Sequence, residues 1–471
     1  MSLDPSPPNS ARMRPRPQAP AAIGEPSPGE AVAIIGLGYV GLPLAVALAR
    51  GQRREPGGKG SVLGFDINPR RIELLRQGRD HTGEVEPDAL RSALIRYSAD
   101  PADLLDKDIY IVTVPTPVDE NNKPDLSAVE TACRSVGAAL KSSKPLPQGL
   151  PVVVFESTVY PGVTEDFCAP IIARISGREP GSGFLMGYSP ERINPGDRTR
   201  TVDRIMKVVA GQTPAVAQRL ERLYGQVTSG GIFVARDIRT AEAAKVIENA
   251  QRDINIAFIN EVTMIFGRLG LSVYDVLEAA RTKWNFLDFR PGLVGGHCIG
   301  IDPFYLAHCA EALGHHAEVI LAGRRINDGM GDHIAERIVV AYAQSGHGTA
   351  APRTLVLGLT FKENLPDLRN SKVVDLIQGL RARGHRVEVH DARADPAEAQ
   401  SLYGETLRAD LAGANGEAPF DCVVGAVAHD AYKALGAADL ARLVRQGGLV
   451  CDIKGMWHGR ALPDGLRRWE L

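Results

Sequence analysis

No apolar run in this chain approaches the roughly 18 residues that a membrane-spanning helix needs, so no membrane partner is expected. Charge of one sign is not in excess either. The formal net charge is −2, without the cationic surplus that nucleic acid or an anionic lipid surface would attract. Cysteine is scarce: six residues (133, 168, 298, 309, 422 and 451) with no close pairs of the metal-binding kind. That pattern excludes a disulfide scaffold, predicts no metal site, and reads as a reduced, cytoplasmic protein. Residues 1–29 carry many prolines and Arg12, Arg14 and Arg16 but lack the apolar core of a signal peptide. They are read as a disordered tail.

What is present points to several folded units. A chain of 471 residues exceeds one ordinary core, and 44% hydrophobic with 23% charged residues is a globular balance. Order begins at Ala31-Val32-Ala33-Ile34-Ile35, an apolar run of the kind buried in a parallel sheet. Gly36-Leu37-Gly38-Tyr39-Val40-Gly41 follows at once, then a helical run from Leu42 to Arg50. This is GxGxxG in a strand-turn-helix setting, where backbone amides and a helix N-terminus receive a pyrophosphate. The next strand, Ser61 to Asp66, ends in an acid placed for a ribose hydroxyl, after a polar loop insertion at 51–60. An acid there favours NAD over NADP; Arg70 and Arg71 pull the other way, and Arg71 joins the cofactor candidates.

Strands at Asp108–Val114 and Pro151–Phe155 run into Pro115-Thr116-Pro117 and Glu156-Ser157-Thr158-Val159-Tyr160. Loops at strand carboxyl ends line the cofactor cleft of such a sheet, although each loop alone is ordinary turn chemistry. From Arg239 to Leu269 almost no Gly or Pro interrupts a helical period, with Ala241, Ala244, Ile247, Ile254, Phe258 and Val262 marking one apolar face. Lys245 and Asn249 stand at i and i+4, so they project together; composition alone favours a solvated edge. A helix this long also offers a surface for a second subunit.

Cys298 stands apart from the other cysteines. Its segment, Gly295-Gly296-His297-Cys298-Ile299-Gly300-Ile301-Asp302-Pro303, is too poor in side chains to build a core and reads as a loop shaped around a ligand. A cysteine there is a nucleophile if its thiolate is favoured locally. The other five are read as small buried hydrophobes. After Pro352, strands at 354–359, 386–390, 422–427 and 449–452 alternate with helical stretches, predicting a second parallel sheet. The loop Thr360 to Ser371, with Lys362 and Arg369, suits a phosphorylated ligand. The fold class is α/β: two Rossmann-like doubly wound domains (30–235 and 350–471) joined by a helical region (236–335).

From Val32 to Trp457 the chain resembles the UDP-glucose/GDP-mannose dehydrogenase family. The resemblance is carried in order by the GxGxxG loop, Val114-Pro115-Thr116-Pro117, Glu156-Ser157-Thr158-Val159, Tyr188-Ser189-Pro190-Glu191-Arg192, Glu242 to Asn249, the cysteine loop and Thr360-Phe361-Lys362 with Arg369 and Ser371. Within the family, His297 and Ile301-Asp302-Pro303 look like the UDP-N-acetylglucosamine/UDP-N-acetylgalactosamine 6-dehydrogenase branch, whereas glucose-type enzymes usually carry serine before the cysteine. Gly64–Asn68, Asp80–Glu84, Lys283–Phe286 and Ile326–Gly331 point the same way. Pro195 replaces a second glutamate of the glucose-type enzymes, so only Glu191 carries over in that segment.

The resemblance implies NAD as cofactor, a UDP-sugar as substrate, a homodimer through the central helix, and a role in capsule or lipopolysaccharide synthesis. It implies oxidation of the sugar's 6-hydroxyl to a carboxylate, with Cys298 forming a thiohemiacetal and then a thioester. Lys245 and Asn249 would stabilise oxyanions, and Asp302 with Thr158 would hold water or act as base beside Glu191. Tyr39, Val40, Pro115, Thr116 and Thr158 would contact the cofactor. Glu191, Arg192, Lys245, Asn249, Gly295, Lys362 and Arg369 would contact the substrate, with Arg290 reaching a neighbouring site. The alternatives are a UDP-N-acetylmannosamine or UDP-glucose dehydrogenase, a simpler nicotinamide enzyme that would leave Cys298 unexplained, or a non-catalytic nucleotide-sugar binding protein.

Overall fold

The computed structural model describes residues 29–54, 62–147, 149–193, 199–344, 351–411 and 419–471. The tail up to residue 28, Pro195, residues 55–60 of the polar insertion and Ser61 lie outside the described residues.

The N-terminal sheet has eight strands: β1 (Val32–Ile35), β2 (Val62–Phe65), β3 (Ile95–Ser98), β4 (Ile109–Val112), β5 (Val152–Phe155), β6 (Leu185–Tyr188), β7 (Lys207–Gly211) and β8 (Ile232–Val234). Their order is β3-β2-β1-β4-β5-β6-β7-β8. All neighbours run parallel except β6 with β7. Every residue of β1, β2, β4 and β5 is buried, as strands covered on both faces must be. The order reverses between β1 and β4, so the ligand crevice opens at their carboxyl ends. The first helix, Gly41–Arg54, runs four residues past Arg50 into the stretch read as a loop insertion.

The C-terminal sheet comprises β9 (Arg353–Leu357), β10 (Arg386–His390), β11 (Phe420–Gly425), β12 (Val444–Asp452) and β13 (Arg467–Glu470). It is wholly parallel, in the order β10-β9-β11-β12-β13. Between the sheets lies the 32-residue central helix Ile238–Leu269. The Asp237 side chain caps its first turn by accepting from the Thr240 amide, and Gly270 ends it at φ 73°, where a Cβ would be strained. It packs against the helices Asp302–Ala312 and Glu318–Ala343.

The buried side of the central helix differs from the expected one. Ile247 and Phe258 are 55% and 58% exposed, while Glu242, Lys245, Asn249, Asp253 and Asn260 lie inside with Ala241, Ala250 and Ala257. Hydropathy sorts residues by their preference for water, but each of these polar side chains meets a charged or hydrogen-bonding partner inside, which hydropathy does not register.

Candidate active site

The glycine loop is braced from three sides. Gly36 sits at φ 94°, and its amide donates to the Phe65 carbonyl at 2.9 Å. The Thr113 hydroxyl donates to the Gly36 carbonyl at 2.7 Å, and Asp66 accepts from the Leu37 amide at 2.9 Å. A Cβ on Gly41 would lie 1.9 Å from the Gly36 carbonyl oxygen, so helix and loop touch only because that side chain is absent. A Cβ on Gly38 would meet nothing within 4 Å. Open space beside backbone amides at a helix start is what a pyrophosphate needs, so the loop fits a dinucleotide. Val40 lies just before the helix, its carbonyl accepting from the Leu44 amide at 3.3 Å. Arg71 is committed underneath: it donates twice to the Leu37 carbonyl and pairs with Asp80 at 2.8 Å. The structure therefore places it as a support of the loop. Pro115 is exposed and Thr116 and Thr158 are partly buried on neighbouring strand-end loops; the Ser157 hydroxyl joins these loops by donating to the Val114 carbonyl at 2.6 Å.

Beyond the cradle, Lys245, Asn249 and Asp302 are 7%, 5% and 3% exposed, which overturns the solvated-edge reading of the helix pair. The Asn249 amide donates to Asp302 Oδ2 at 2.5 Å, and Arg252 holds the Asn249 oxygen at 3.2 Å. Burial pushes the Asp302 carboxyl up to about 6, opposed by the Lys245 charge and the Asn249 bond. For Lys245 burial acts downward, but Asp302, Cys298, Glu191 and Glu248 outweigh it and hold the ammonium above its ordinary value. Cys298 is pushed up to about 11, first by burial and then by the Asp302 carboxylate, with Lys245 acting the other way. Burial and the Asp302 charge thus favour the thiol over the thiolate.

Glu191 accepts from the Arg192 and Ile193 amides through one oxygen, at 2.6 and 2.5 Å, while its other oxygen is buried without a partner among the described residues. Arg192 pairs with Glu248 of the central helix at 2.8 Å. Beneath these loops Glu156 and Lys207, both wholly buried, pair at 2.6 Å, and Tyr224 donates to Glu156 at 2.5 Å.

Three family models match the chain in succession: the UDP-glucose/GDP-mannose dehydrogenase family NAD binding domain over residues 30–228, the central domain over 239–329 and the UDP binding domain over 355–459. The chain belongs to this family. It is an NAD-dependent nucleotide-sugar dehydrogenase. It is similar to a UDP-N-acetyl-D-glucosamine 6-dehydrogenase of Pseudomonas aeruginosa, 46% identical across 90% of this chain and 96% of the relative. Protein CapL of Staphylococcus aureus is also 46% identical, across 93% and 99%. Among solved structures, a UDP-D-ManNAc dehydrogenase from Pyrococcus horikoshii superposes with a TM-score of 0.78 at 26% identity, covering 93% of this chain and 98% of that one.

In this dehydrogenase the cysteine loop is held by partners that sequence reading did not name. Asn260 brackets Gly292, accepting from its amide at 2.8 Å and donating to its carbonyl at 3.0 Å. Asn260 also donates to Asn327, which donates to Asp253, itself paired with Arg324 at 2.6 Å. All four side chains are buried. The only signal in the sequence is Asn327-Asp328 in the quoted branch phrase. Gly295 allows the loop to pass the C-terminal domain, since a Cβ there would stand 2.3 Å from the Asn370 carbonyl oxygen. Tyr39 stacks on His297 at 5.8 Å, and His297 meets Asp367 at 3.2 Å. Arg369 pairs with Asp367 at 2.8 Å and lies over the Tyr39 ring, which puts it beside the dinucleotide loop.

A cavity between the domains is lined by Gly295, Phe361, Lys362, Ser371, Lys372 and Lys454, among others. Lys454 is a further missed residue; burial pushes its ammonium down. It follows the end of β12, and the strand-end rule that located the other loops would have found it. Arg290 is outward-facing, with Asp288 at 3.9 Å. Cys309 departs from its reading as a buried hydrophobe, being only partly buried, whereas Cys133, Cys168, Cys422 and Cys451 are buried. Among the described residues no group of His, Cys, Asp and Glu is arranged to hold a metal.

Proposed function

We propose that this enzyme oxidises the 6-hydroxyl of UDP-N-acetylglucosamine to the carboxylate, with Cys298 as covalent nucleophile. The observation that carries the chemistry is the buried cluster of Lys245, Asn249 and Asp302 around a cysteine loop between two nucleotide folds. The sugar rests on relatives of that activity at 41–46% identity and on the His297 and Ile301-Asp302-Pro303 phrases.

Bound NAD supplies the electron acceptor for both oxidation stages. In the first, Asp302, or a water held between it and Thr158, takes the hydroxyl proton. Asp302 then passes that proton on to solvent. Cys298 Sγ bonds to the aldehyde carbon as the carbonyl π bond opens to an oxyanion, and the thiol proton passes to the regenerated Asp302 carboxylate, which again gives it to solvent before the hydrolysis; the two groups thus exchange a proton instead of ionising separately. The Lys245 ammonium and Asn249 amide face the oxygen on which negative charge develops, where a positioned donor is worth about 3 kcal/mol. The second oxidation leaves a thioester, which a water activated by Asp302 hydrolyses to free Cys298 and the uronic acid. Glu191, with its unpartnered oxygen, is assigned to positioning the sugar or this water. The UDP moiety is assigned to the Lys362 and Lys454 cavity.

The central helix also supports a homodimer. Ile247, Phe258, Ile265 and Leu269 expose about half or more of their surface along one helical line. Arg290, exposed and paired only with its near neighbour Asp288 among the described residues, is then placed to reach a neighbouring site. The product's use in a capsule is supported by the likeness to CapL.

NADH release measured separately with UDP-N-acetylglucosamine, UDP-N-acetylgalactosamine, UDP-N-acetylmannosamine and UDP-glucose tests the reading. Two NADH per molecule of the first are expected. Oxidation of UDP-glucose alone would overturn the sugar assignment, and a Cys298→Ala variant that kept both oxidations would overturn the covalent route.

A further inference from the structure

The end of β11 holds a buried histidine that neither the cofactor cradle nor the cysteine cluster uses. His429 is 0% exposed and is not among the residues that line the UDP cavity. Its Nδ1 lies 2.8 Å from the Asn364 amide nitrogen, whose N–H is donated to it. A ring nitrogen that accepts carries no proton, so in the neutral ring the proton sits on Nε2. Nε2 faces the Thr360 hydroxyl oxygen at 3.0 Å and Asp391 Oδ2 at 3.2 Å. The Thr360 hydroxyl in turn donates to the Lys362 carbonyl at 3.1 Å. One imidazole therefore grips the backbone on both sides of Lys362, directly at Asn364 and through Thr360 at Lys362 itself.

Neighbouring groups complete the grip. Asp391, at the end of β10, accepts from the Leu359 and Thr360 amides at 2.5 and 2.9 Å. Asn364 is held at φ 62°, a conformation that a side chain disfavours, and its side-chain oxygen accepts from the Asp430 backbone amide at 3.0 Å. Such a backbone persists only where its surroundings over-determine it. The carboxyl ends of β10, β9 and β11 thus converge on the short segment that carries Lys362 into the cavity.

We propose that His429 is a positioning residue for UDP recognition, acting through the backbone of Lys362 without touching the ligand. The inference rests on the reading that this loop takes the UDP moiety. Two variants of the full-length enzyme separate its parts. His429→Asn keeps a carbonyl near the Nδ1 position and so an acceptor for the Asn364 amide. His429→Gln places its amide toward Thr360 and Asp391 and leaves the Asn364 amide unpaired. UDP binding by calorimetry should weaken about tenfold in the Gln variant and stay within about threefold in the Asn variant. Affinity for NAD should be unchanged in both, and kcat at saturating sugar nucleotide should stay within about twofold while KM rises in the Gln variant. In the wild-type protein, 15N NMR of His429 should show Nε2 protonated and Nδ1 bare, a measurement that stands even if neither variant folds. Equal UDP affinity in wild type and the Gln variant, or a protonated Nδ1, would overturn the inference. Absence of any UDP binding by the wild type would instead overturn the reading of the cavity, and the inference with it.

Discussion

Asp302→Asn should make the protein more stable while abolishing turnover. Asp302 is nearly fully buried, and its carboxyl is lifted from the ordinary range to about 6. Holding it ionised at neutral pH therefore costs about 3 kcal/mol relative to the unfolded chain, a figure that already includes the attraction of Lys245. An asparagine carries no charge, yet its carbonyl still accepts from Asn249. The sign follows from proton binding. Below about pH 4 both folded and unfolded chains carry the proton, and the wild type bears no penalty. Between about 4 and 6 the folded chain keeps the proton that the unfolded one has released, so wild-type stability falls as pH rises, and above that window the whole penalty is present. Thermal melts at pH 5 and pH 7.5 read this directly. The variant should melt a few degrees higher at pH 7.5, with the advantage shrinking at pH 5. Its NADH production should drop by at least about a hundredfold, the usual worth of a positioned base. In the wild type, kcat/KM should fall about tenfold per unit below pH 6, with that limb absent from residual Asp302→Asn activity. A variant that melts lower at pH 7.5, or keeps its advantage undiminished at pH 5, would refute the assignment of a strained buried carboxylate.

Three further changes probe other parts of the scaffold. Gly295→Ala sets a methyl 2.3 Å from a backbone oxygen, so the cysteine loop must shift; kcat should fall about tenfold or more with a stability loss of about 1–3 kcal/mol, and unchanged kcat would show that the loop tolerates displacement. Lys207→Met strands the buried Glu156 carboxylate and should cost about 3–5 kcal/mol in denaturant melts, with much of it recovered by adding Glu156→Gln; no recovery would mean that packing, and not charge, is at fault. Phe258→Glu puts a charge on the exposed apolar line of the central helix and should yield monomers by light scattering; an unchanged dimer would place the interface elsewhere.

Much of this enzyme is legible in its sequence because the relevant signals are local. Short apolar runs specify the buried strands, and a glycine loop after the first of them specifies a turn that only small residues make. Cys298 stands out because its neighbours have too few side chains to serve any core. Lys245 and Asn249 share a helix side by spacing alone, although whether that side faced water was undetermined. Tertiary structure settled that question, since the inside of the central helix is chosen by charged and amide partners from distant segments: Asp302 for Asn249, Arg324 for Asp253, Gly292 for Asn260. The protonation of Cys298 was likewise out of reach, because it depends on how deeply the thiol is buried and how near the Asp302 charge lies. Arg71 resembled a cofactor ligand by position but closes on the loop backbone, and Lys454 and His429 acquire meaning only where strand ends from the C-terminal sheet converge. Sequence alone thus determined the family and the two nucleotide folds, and singled out Cys298 as the candidate nucleophile, all from contiguous residues. The direction of each side chain, its ionisation and its supports depended on contacts between residues far apart in the chain, and these exist only once it has folded.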